Sequence, residues 1–356
     1  MASMNLAAVI GALASTIPGN VVRQVNRATV LLSLLPIVEN EPATAINWDA
    51  EGDGAYAESY ADGANVSTYG VDPLSKATLA FGSYRTNVQI TGQAAAAAEA
   101  AFDSAGDAAP GKLRDLLGRQ LDNGITKLSS YINGDLYNGT GTGGGGEPTI
   151  VGFRGGAIGT SNVYASIDRS VSGNAFFRST VTDPGTPTIL SFDQIRADQA
   201  AIFSLCNMNP DIALVGPVTH TKVKGLFDQS RRWESEVKVG TAMRGEVILE
   251  NRGSVVDVEG TQFIRDKDMA EGQILYLNTA HTDIIVERQA KNFGAPAELF
   301  STLSPEELQW QKLLRAMKAV ELARLGDARQ FFVNIYLGLR LNRPNTCGWR
   351  KNVAYT

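Results

Sequence analysis

Apolar residues recur at three- and four-residue steps through Leu113, Leu117, Leu121, Ile125, Leu128, Ile132 and Leu136, while Lys112, Arg114, Arg119 and Lys127 fall elsewhere. That spacing draws one stripe down one side of a helix and predicts a long amphipathic helix from about Pro110 to Asn138. At 1.5 Å per residue such a helix is about 40 Å long, the width of a domain. Gly118 and Gly124 each weaken it by about 1 kcal/mol relative to alanine, which points to close backbone packing along it. The helix runs out into the tract GTGTGGGG, which begins at Gly139 and reads as a flexible turn.

Upstream the pattern changes. From Pro42 to Pro73 the chain carries Asp49, Glu51, Asp53, Glu58, Asp62 and Asp72, has no Lys or Arg, and is punctuated by Gly52, Gly54, Gly63 and Gly70. The next stretch, KATLAFGSYRTNVQITG, alternates apolar and polar positions at Leu79/Phe81 and Val88/Ile90, as strands do. Together these predict a long two-stranded hairpin over Asp49–Thr91 with little core of its own. An isolated hairpin is marginal in water, so this one is expected to lie on another subunit.

Shorter elements fill the rest. Val22, Val25, Leu32 and Leu35 share one face of a helix capped by Asn20 and stopped by Pro36. An alanine-rich strand or short helix covers Ala94 to Phe102. Ser191 and Gln194 form a capping-box pattern ahead of a helix whose apolar face holds Ile195, Ile202, Phe203 and Cys206. Asp211 to Val215 reads as a buried strand, and Pro217 introduces a helix over Val218 to Phe227. Strand-like runs follow at Glu246–Glu250, Gly253–Val258, Gln273–Leu277 and Asp283–Glu287. Ser304-Pro305-Glu306-Glu307 has the cap, proline and acids of a helix start. That helix carries Trp310, Leu313, Leu314, Met317 and Val320 and closes at Gly326, and two strands flanking Pro344 end the chain. The fold class is α+β.

Composition narrows the function. The 356 residues are 44% apolar and 19% charged, as in a globular protein. A net charge of −5 argues against a protein devoted to neutralising phosphates. Cys206 and Cys347 are too few and too far apart for a disulfide framework, and read as small buried hydrophobes. Leu6 to Ala14 is apolar and ends in Ala12-Leu13-Ala14, yet no basic residue precedes Arg23, so no export signal is expected. Apolar runs are too short to span a bilayer, and the chain is expected to be soluble and cytoplasmic at synthesis. Lys312, Arg315, Lys318, Arg324, Arg329, Arg340, Arg343, Arg350 and Lys351 outnumber the acids of the C-terminal part. The acidic hairpin is their natural complement, and between copies such charges steer and register assembly.

Motifs for chemistry fail on context. Gly139-Thr140-Gly141-Thr142-Gly143-Gly144 matches G-x-G-x-x-G, but a helix precedes it and Glu147-Pro148 follows, the reverse of what a pyrophosphate site needs. Asp49, Glu51, Asp53 and Gly54 hint at a calcium loop, yet Tyr60 stands where a closing glutamate belongs. His220 and His281 have no zinc or triad partners near them in sequence, and Arg231-Arg232-Trp233 is a lone basic cluster. No catalytic residue, metal or cofactor is expected.

In order, the parts resemble those of the major capsid proteins of tailed bacteriophages. The segments that carry the resemblance are ITKLSSYINGDLYNGTGTGGGG, IVGFRGGAI, YASIDRSVSGNAFFRS, LSFDQIRADQAAIFSLCNMNPDIALVGPVTHTKVKGLFD, DIIVERQAKNF and IYLGLRLNRPNTCGW. The resemblance implies an N-terminal helix and arm over 1–48, a hairpin called the E-loop over 49–93, and a P-domain with its spine helix over 94–150. An A-domain over 151–282 follows, and 283–356 returns to the P-domain, with the helix after Ser304 as an elaboration. It implies pentamers and hexamers in an icosahedral shell around double-stranded DNA packaged without sequence specificity, a virion protein assembled in the host cytoplasm. Separate scaffolding, portal and decoration proteins are the partners that go with it. Glu51, Asp53, Glu58, Asp62, Lys76, Arg85, Arg231, Arg232, Arg340 and Arg343 are the candidate subunit-interface residues. Lys76 is the sole lysine of the hairpin region, and without an identifiable partner no crosslink is expected from it. An encapsulin-like nanocompartment shell is the nearest alternative. A β-rich bacterial surface protein is the alternative of another class, and it needs an export signal.

Overall fold

The computed structural model describes residues 29–40, 44–52, 74–90, 110–230, 256–288, 312–313, 316–321 and 329–354. The chain begins with α1 (Val30–Leu34), β1 (Ile37–Asn40), β2 (Ala45–Glu51), β3 (Leu74–Ala80) and β4 (Gly82–Ile90). The spine helix α2 (Pro110–Asn138) follows, then β5 (Thr140–Thr142), β6 (Pro148–Val151), β7 (Val163–Tyr164) and β8 (Ile167–Asp168). Next come β9 (Thr180–Thr182), β10 (Thr188–Ile189), α3 (Phe192–Cys206), β11 (Ile212–Val215) and α4 (Pro217–Ser230). The remaining strands are β12 (Val256–Val258), β13 (Thr261–Arg265), β14 (Ile274–Leu277), β15 (Thr282–Glu287), β16 (Lys318–Glu321), β17 (Arg329–Leu341), β18 (Gly348–Arg350) and β19 (Val353–Ala354).

Two sheets organise these elements. In the first, β1, β15, β17 and β16 lie in that order, and β4 pairs with β17. Alternation along β17 buries Val333, Ile335, Leu337, Leu339 and Leu341 in one core with Ile125, Leu128, Ile132 and Leu136 of α2. The opposite face of β17 carries the half-buried Phe332, Asn334, Tyr336 and Arg340. The second sheet runs β12-β13-β11-β14-β18-β9. All four residues of β11 and all four of β14 are buried, because both faces are covered. Ile212, Leu214, Leu275 and Leu277 face the spine core, whereas Ala213, Val215, Ile274 and Tyr276 meet Ile195, Ile202 and Val223 of α3 and α4.

Several expectations change. The hairpin reading of Asp49–Thr91 merges two units. The arm is β2 on β3, from Ala45/Ala80 out to Glu51/Leu74. Gly82–Ile90 instead pairs along its whole length with Arg329–Leu337. Its alternation was that of a body strand, because the aromatic-rich partner it needs lies far away in sequence. The arm also has core of its own chain: Ile46, Ala50, Ala77 and Leu79 are buried in the main cluster. The helix expected from Ser304 to Leu325 falls mostly outside the described residues, but its end is corrected. Lys318–Glu321 is a strand paired with Phe331–Asn334, so pairing with β17 overrides the helical spacing of Met317 and Val320. The C-terminal strands divide: β17 returns to the first sheet, while β18 joins the second between β14 and β9. Phe203 lies on the exposed side of α3 at 45% accessibility, since the buried side is completed by Asp198 and Gln199. The start of the first expected helix (20–28) and the elements expected at 94–102 and 246–250 lie outside the described residues.

The glycine tract is an ordered hairpin. Gly139 N–H donates to the Asp135 carbonyl at 2.8 Å and closes α2, and Gly143 and Gly146 close the turn between β5 and β6. A Cβ at Gly139 would sit 2.2 Å from the Ile150 carbonyl oxygen, and one at Gly155 would sit 1.8 Å from that of Gly139. The spine's end therefore packs backbone against backbone, which only glycine permits.

Candidate assembly surfaces

The arm has a dry face and a wet one. Pairing sets Ile46 opposite Leu79 and Trp48 opposite Ala77 on the inner side. Asn47 and Thr78, Asp49 and Lys76, and Glu51 and Leu74 face each other on the outer side. Thr78 Oγ1 donates to Asn47 Oδ1 at 2.9 Å. Ile46 reaches the outer face of the first sheet, where a Cβ on Gly338 would meet its Cδ1 at 2.5 Å. At the far end Leu74 is 67% exposed, while Ala50 on the strand beside it is buried.

The inner end is anchored on one short turn. β7 and β8 pair antiparallel across Ala165 and Ser166, whose φ angles are +50° and +65°. Successive positive φ values suit a two-residue hairpin turn, normally filled by Asn-Gly. Ala165 O accepts from Thr78 N–H at 2.9 Å, and Ser166 Oγ donates to Thr78 O at 3.3 Å. Tyr164 donates to Leu339 O and accepts from Leu341 N–H, tying the same turn to β17. Beneath it lies Arg169, fully buried. Its guanidinium donates to the carbonyls of Gly156, Ala157 and Gly159 and to Asn162 Oδ1. It also stacks on the Tyr164 and Phe177 rings at 4.9 and 5.5 Å. Burial pushes its pKa down to about 10, so the group stays charged at neutral pH.

Of the sequence-derived interface residues, Glu51 and Lys76 are exposed on the arm, with Lys76 opposite Asp49. Arg85 projects from β4 on the outer face of the first sheet, next to Asn334, whose other neighbour is Lys318. Arg85 and Lys318 are both exposed. Strands lie about 4.8 Å apart, so the Arg85-Asn334-Lys318 row is about 10 Å wide. Lys318 was missed because the sequence puts it on a helix. Arg340 pairs with Asp283 of its own chain at 2.6 Å, with both side chains largely covered. Arg343 is exposed beside the Pro344 turn. Asp53, Glu58, Asp62, Arg231 and Arg232 lie outside the described residues.

Four polar clusters fix the body that carries these surfaces. Tyr84 on β4 donates to Asp135 of the spine at 2.8 Å and accepts from Ile150 N–H at 3.0 Å. Burial holds Asp135 above its ordinary carboxylate range, against the Tyr84 bond. At the other side of the spine, Tyr137 donates to Asp266 at 2.8 Å, and Asn133 donates to Asp268 at 2.6 Å while accepting from Leu32 N–H. This knot joins spine, α1 and second sheet. Within that sheet Asp198 of α3 takes two bonds from Arg350, with Tyr276 and Thr182 completing its shell. The first amides of α4 are occupied by the Glu271 carboxylate at 2.9 to 3.0 Å, an internal anion at a helix N-terminus. Among the described residues no group of three or more His, Cys, Asp or Glu is placed to hold a metal. No described helix is long and apolar enough to cross a membrane.

No protein-family model and no curated protein matches this sequence. Solved structures do match. The capsid asymmetric unit of cyanophage A-1(L) superposes with a TM-score of 0.67 at 15% identity, over 91% of this chain and 92% of that one. The SrpI encapsulin complex of Synechococcus elongatus gives 0.54 at 12% identity, over 92% and 88%. The capsid of Myoviridae phage XM1 gives 0.51 at 13% identity, over 92% of each. Spine helix, two sheets and the β2–β3 arm together give this chain the capsid fold shared by tailed-phage capsid proteins and encapsulins.

Proposed function

We propose that the chain is the major capsid protein of a tailed-phage-like particle. It forms pentamers and hexamers that close an icosahedral shell around double-stranded DNA, held without sequence specificity. In this reading β2–β3 and the segment beyond Glu51 are the E-loop, α2 and the first sheet are the P-domain, and the second sheet with α3 and α4 is the A-domain. The mechanism is packing and register, not catalysis. Scaffolding, portal and decoration proteins are its partners, and the virion, assembled in host cytoplasm, is its location.

The observation that carries the reading is complementarity between two surfaces of one chain. The described strands of the arm end at Glu51 and Leu74, and residues 42–73 bring acids without a single Lys or Arg. The outer face of the first sheet offers Arg85 and Lys318 beside half-buried Phe332 and Tyr336. An acidic arm from one copy over that face in the next gives a head-to-tail contact, which closes into rings when the rotation permits. Several such contacts per subunit stabilise the shell collectively.

A second reading, a nanocompartment shell enclosing protein cargo, is supported by the likeness to the encapsulin. Purified particles treated with nuclease discriminate the two: protected double-stranded DNA supports the capsid, and co-purifying protein without DNA supports the nanocompartment. A chain that stays monomeric at every concentration contradicts both.

A further inference from the structure

Among the described residues, the segment from Ala157 to Phe177 adds nothing to the two charged surfaces, yet it holds a dense side-chain arrangement around one buried arginine. Arg169 is fully buried and spends four donor contacts on the loop that precedes it. Three acceptors, at Gly156, Ala157 and Gly159, belong to a loop that begins against the spine: Gly152 N–H donates to Gly139 O at 2.7 Å. Arg178 seals the other side, donating to the carbonyls of Arg169, Ser170 and Val171. What this scaffold presents is the turn Ala165-Ser166. Both residues are held at positive φ, which L side chains disfavour. An unfavourable turn persists only where its surroundings over-determine it. Among the described residues, its outward hydrogen bonds are the pair to the N–H and C=O of Thr78, in the middle of β3. Trp48, on the strand beside Thr78, leans on the Tyr164 ring at 6.4 Å.

We propose that the Arg169-supported Ala165-Ser166 turn is a positioning device for assembly, which fixes the direction in which the β2–β3 arm leaves the body. The inference rests on the assembly reading and deepens it by naming residues that act before any contact with a neighbour. Ile46, Ala50, Ala77 and Leu79 hold the arm to the body, but without such a fulcrum the arm keeps a wider range of directions, and each subunit then loses that freedom on docking. An arm aimed in advance has already lost it, so association is tighter for the same contacts. Arg169 acts through the turn and touches no partner; arginine suits the position because its planar fork meets several carbonyls at once, which a lysine ammonium does not.

The test compares Ser166→Ala, which removes one bond to Thr78, with Arg169→Met and Arg169→Lys in the full-length chain. Hydrogen exchange of unassembled subunits is followed at β2, β3 and β17, and the concentration at which particles appear is measured by sedimentation. Exchange of β3 is expected to quicken at least tenfold in Arg169→Met and a few-fold in Ser166→Ala, with β17 unchanged. The assembly concentration should rise in the same order, and Arg169→Lys should fall between Arg169→Met and the parent. Unchanged β3 exchange in Ser166→Ala and Arg169→Met, or faster exchange with an unaltered assembly concentration, overturns the proposal. Loss of protection throughout the body in Arg169→Met would make that residue merely structural, and Ser166→Ala then decides alone. If the parent chain never assembles, the assembly reading fails, while the exchange result still reports whether the turn holds the arm.

Discussion

Removing the carboxylate of Asp198 should destabilise the protein severely, and should do so through a strand 152 residues away in sequence. The Arg350 and Asp198 side chains retain only 6% and 4% of their exposure. Asp198 accepts two bonds from Arg350, one from Thr182 at 3.0 Å and one from Tyr276 at 3.3 Å. Asp198→Ala therefore leaves a buried guanidinium without its anion and two hydroxyls without their acceptor. Breaking a buried pair from one side costs about 3–5 kcal/mol. With an unfolding entropy of about 2.1 cal/mol/K per residue, the 356-residue chain should melt about 4–7 °C lower if it unfolds as one unit. Arg350→Met should cost a similar amount, and the double variant should cost about 2–3 kcal/mol less than the sum, because the second change removes a group the first left stranded. Urea unfolding of the four proteins gives the cycle. Costs that add within about 0.5 kcal/mol would refute the reasoning, and with it the placement of β18 inside the second sheet.

Tyr84→Phe strips Ile150 N–H of its acceptor in a buried place and should cost about 1–3 kcal/mol by denaturant unfolding; no change would return Gly82–Ile90 to the arm. Asp135→Asn tests a pH dependence. Burial raises the Asp135 pKa above 3.8 in the folded chain, so its contribution is most favourable below 3.8 and is lost as pH rises through the folded value. The variant should thus be more stable than the parent near neutral pH, with the advantage shrinking toward zero below 3.8; an advantage that grows on acidification contradicts the assignment. Reversing Arg85 and Lys318 to glutamate should leave the melting temperature nearly unchanged, since both are exposed. It should abolish assembly at low salt, and assembly at the parent's rate argues against that face.

What the sequence made legible was local. The stripe from Leu113 to Leu136 is enough to specify a helix, and the structure runs it over Pro110–Asn138. Ser191 accepts from Gln194 N–H as a capping box should, and the run at Ile212–Val215 is buried on both faces. Most of the misreadings are long-range. Nothing between Lys76 and Gly92 says that Gly82 onward pairs with Arg329–Leu337 while the residues before it pair with β2, because both halves alternate alike. Lys318–Glu321 follows helical spacing and becomes a strand only because β17 extends beside it. Arg340 and Arg343 look equivalent in sequence, yet Asp283 claims only the first. The Ala165-Ser166 turn carries no Asn-Gly signal, although both residues stand at positive φ.

In the proposed function this chain is a tile that assembles through its acidic arm. The most direct test of that reading is electron microscopy of the purified chain beside a variant with residues 53–73 replaced by a short turn. Closed shells with fivefold and sixfold capsomers are expected for the parent, and folded subunits without shells for the variant. Shells formed equally well by the shortened chain, or a parent that remains monomeric at every concentration, would contradict it.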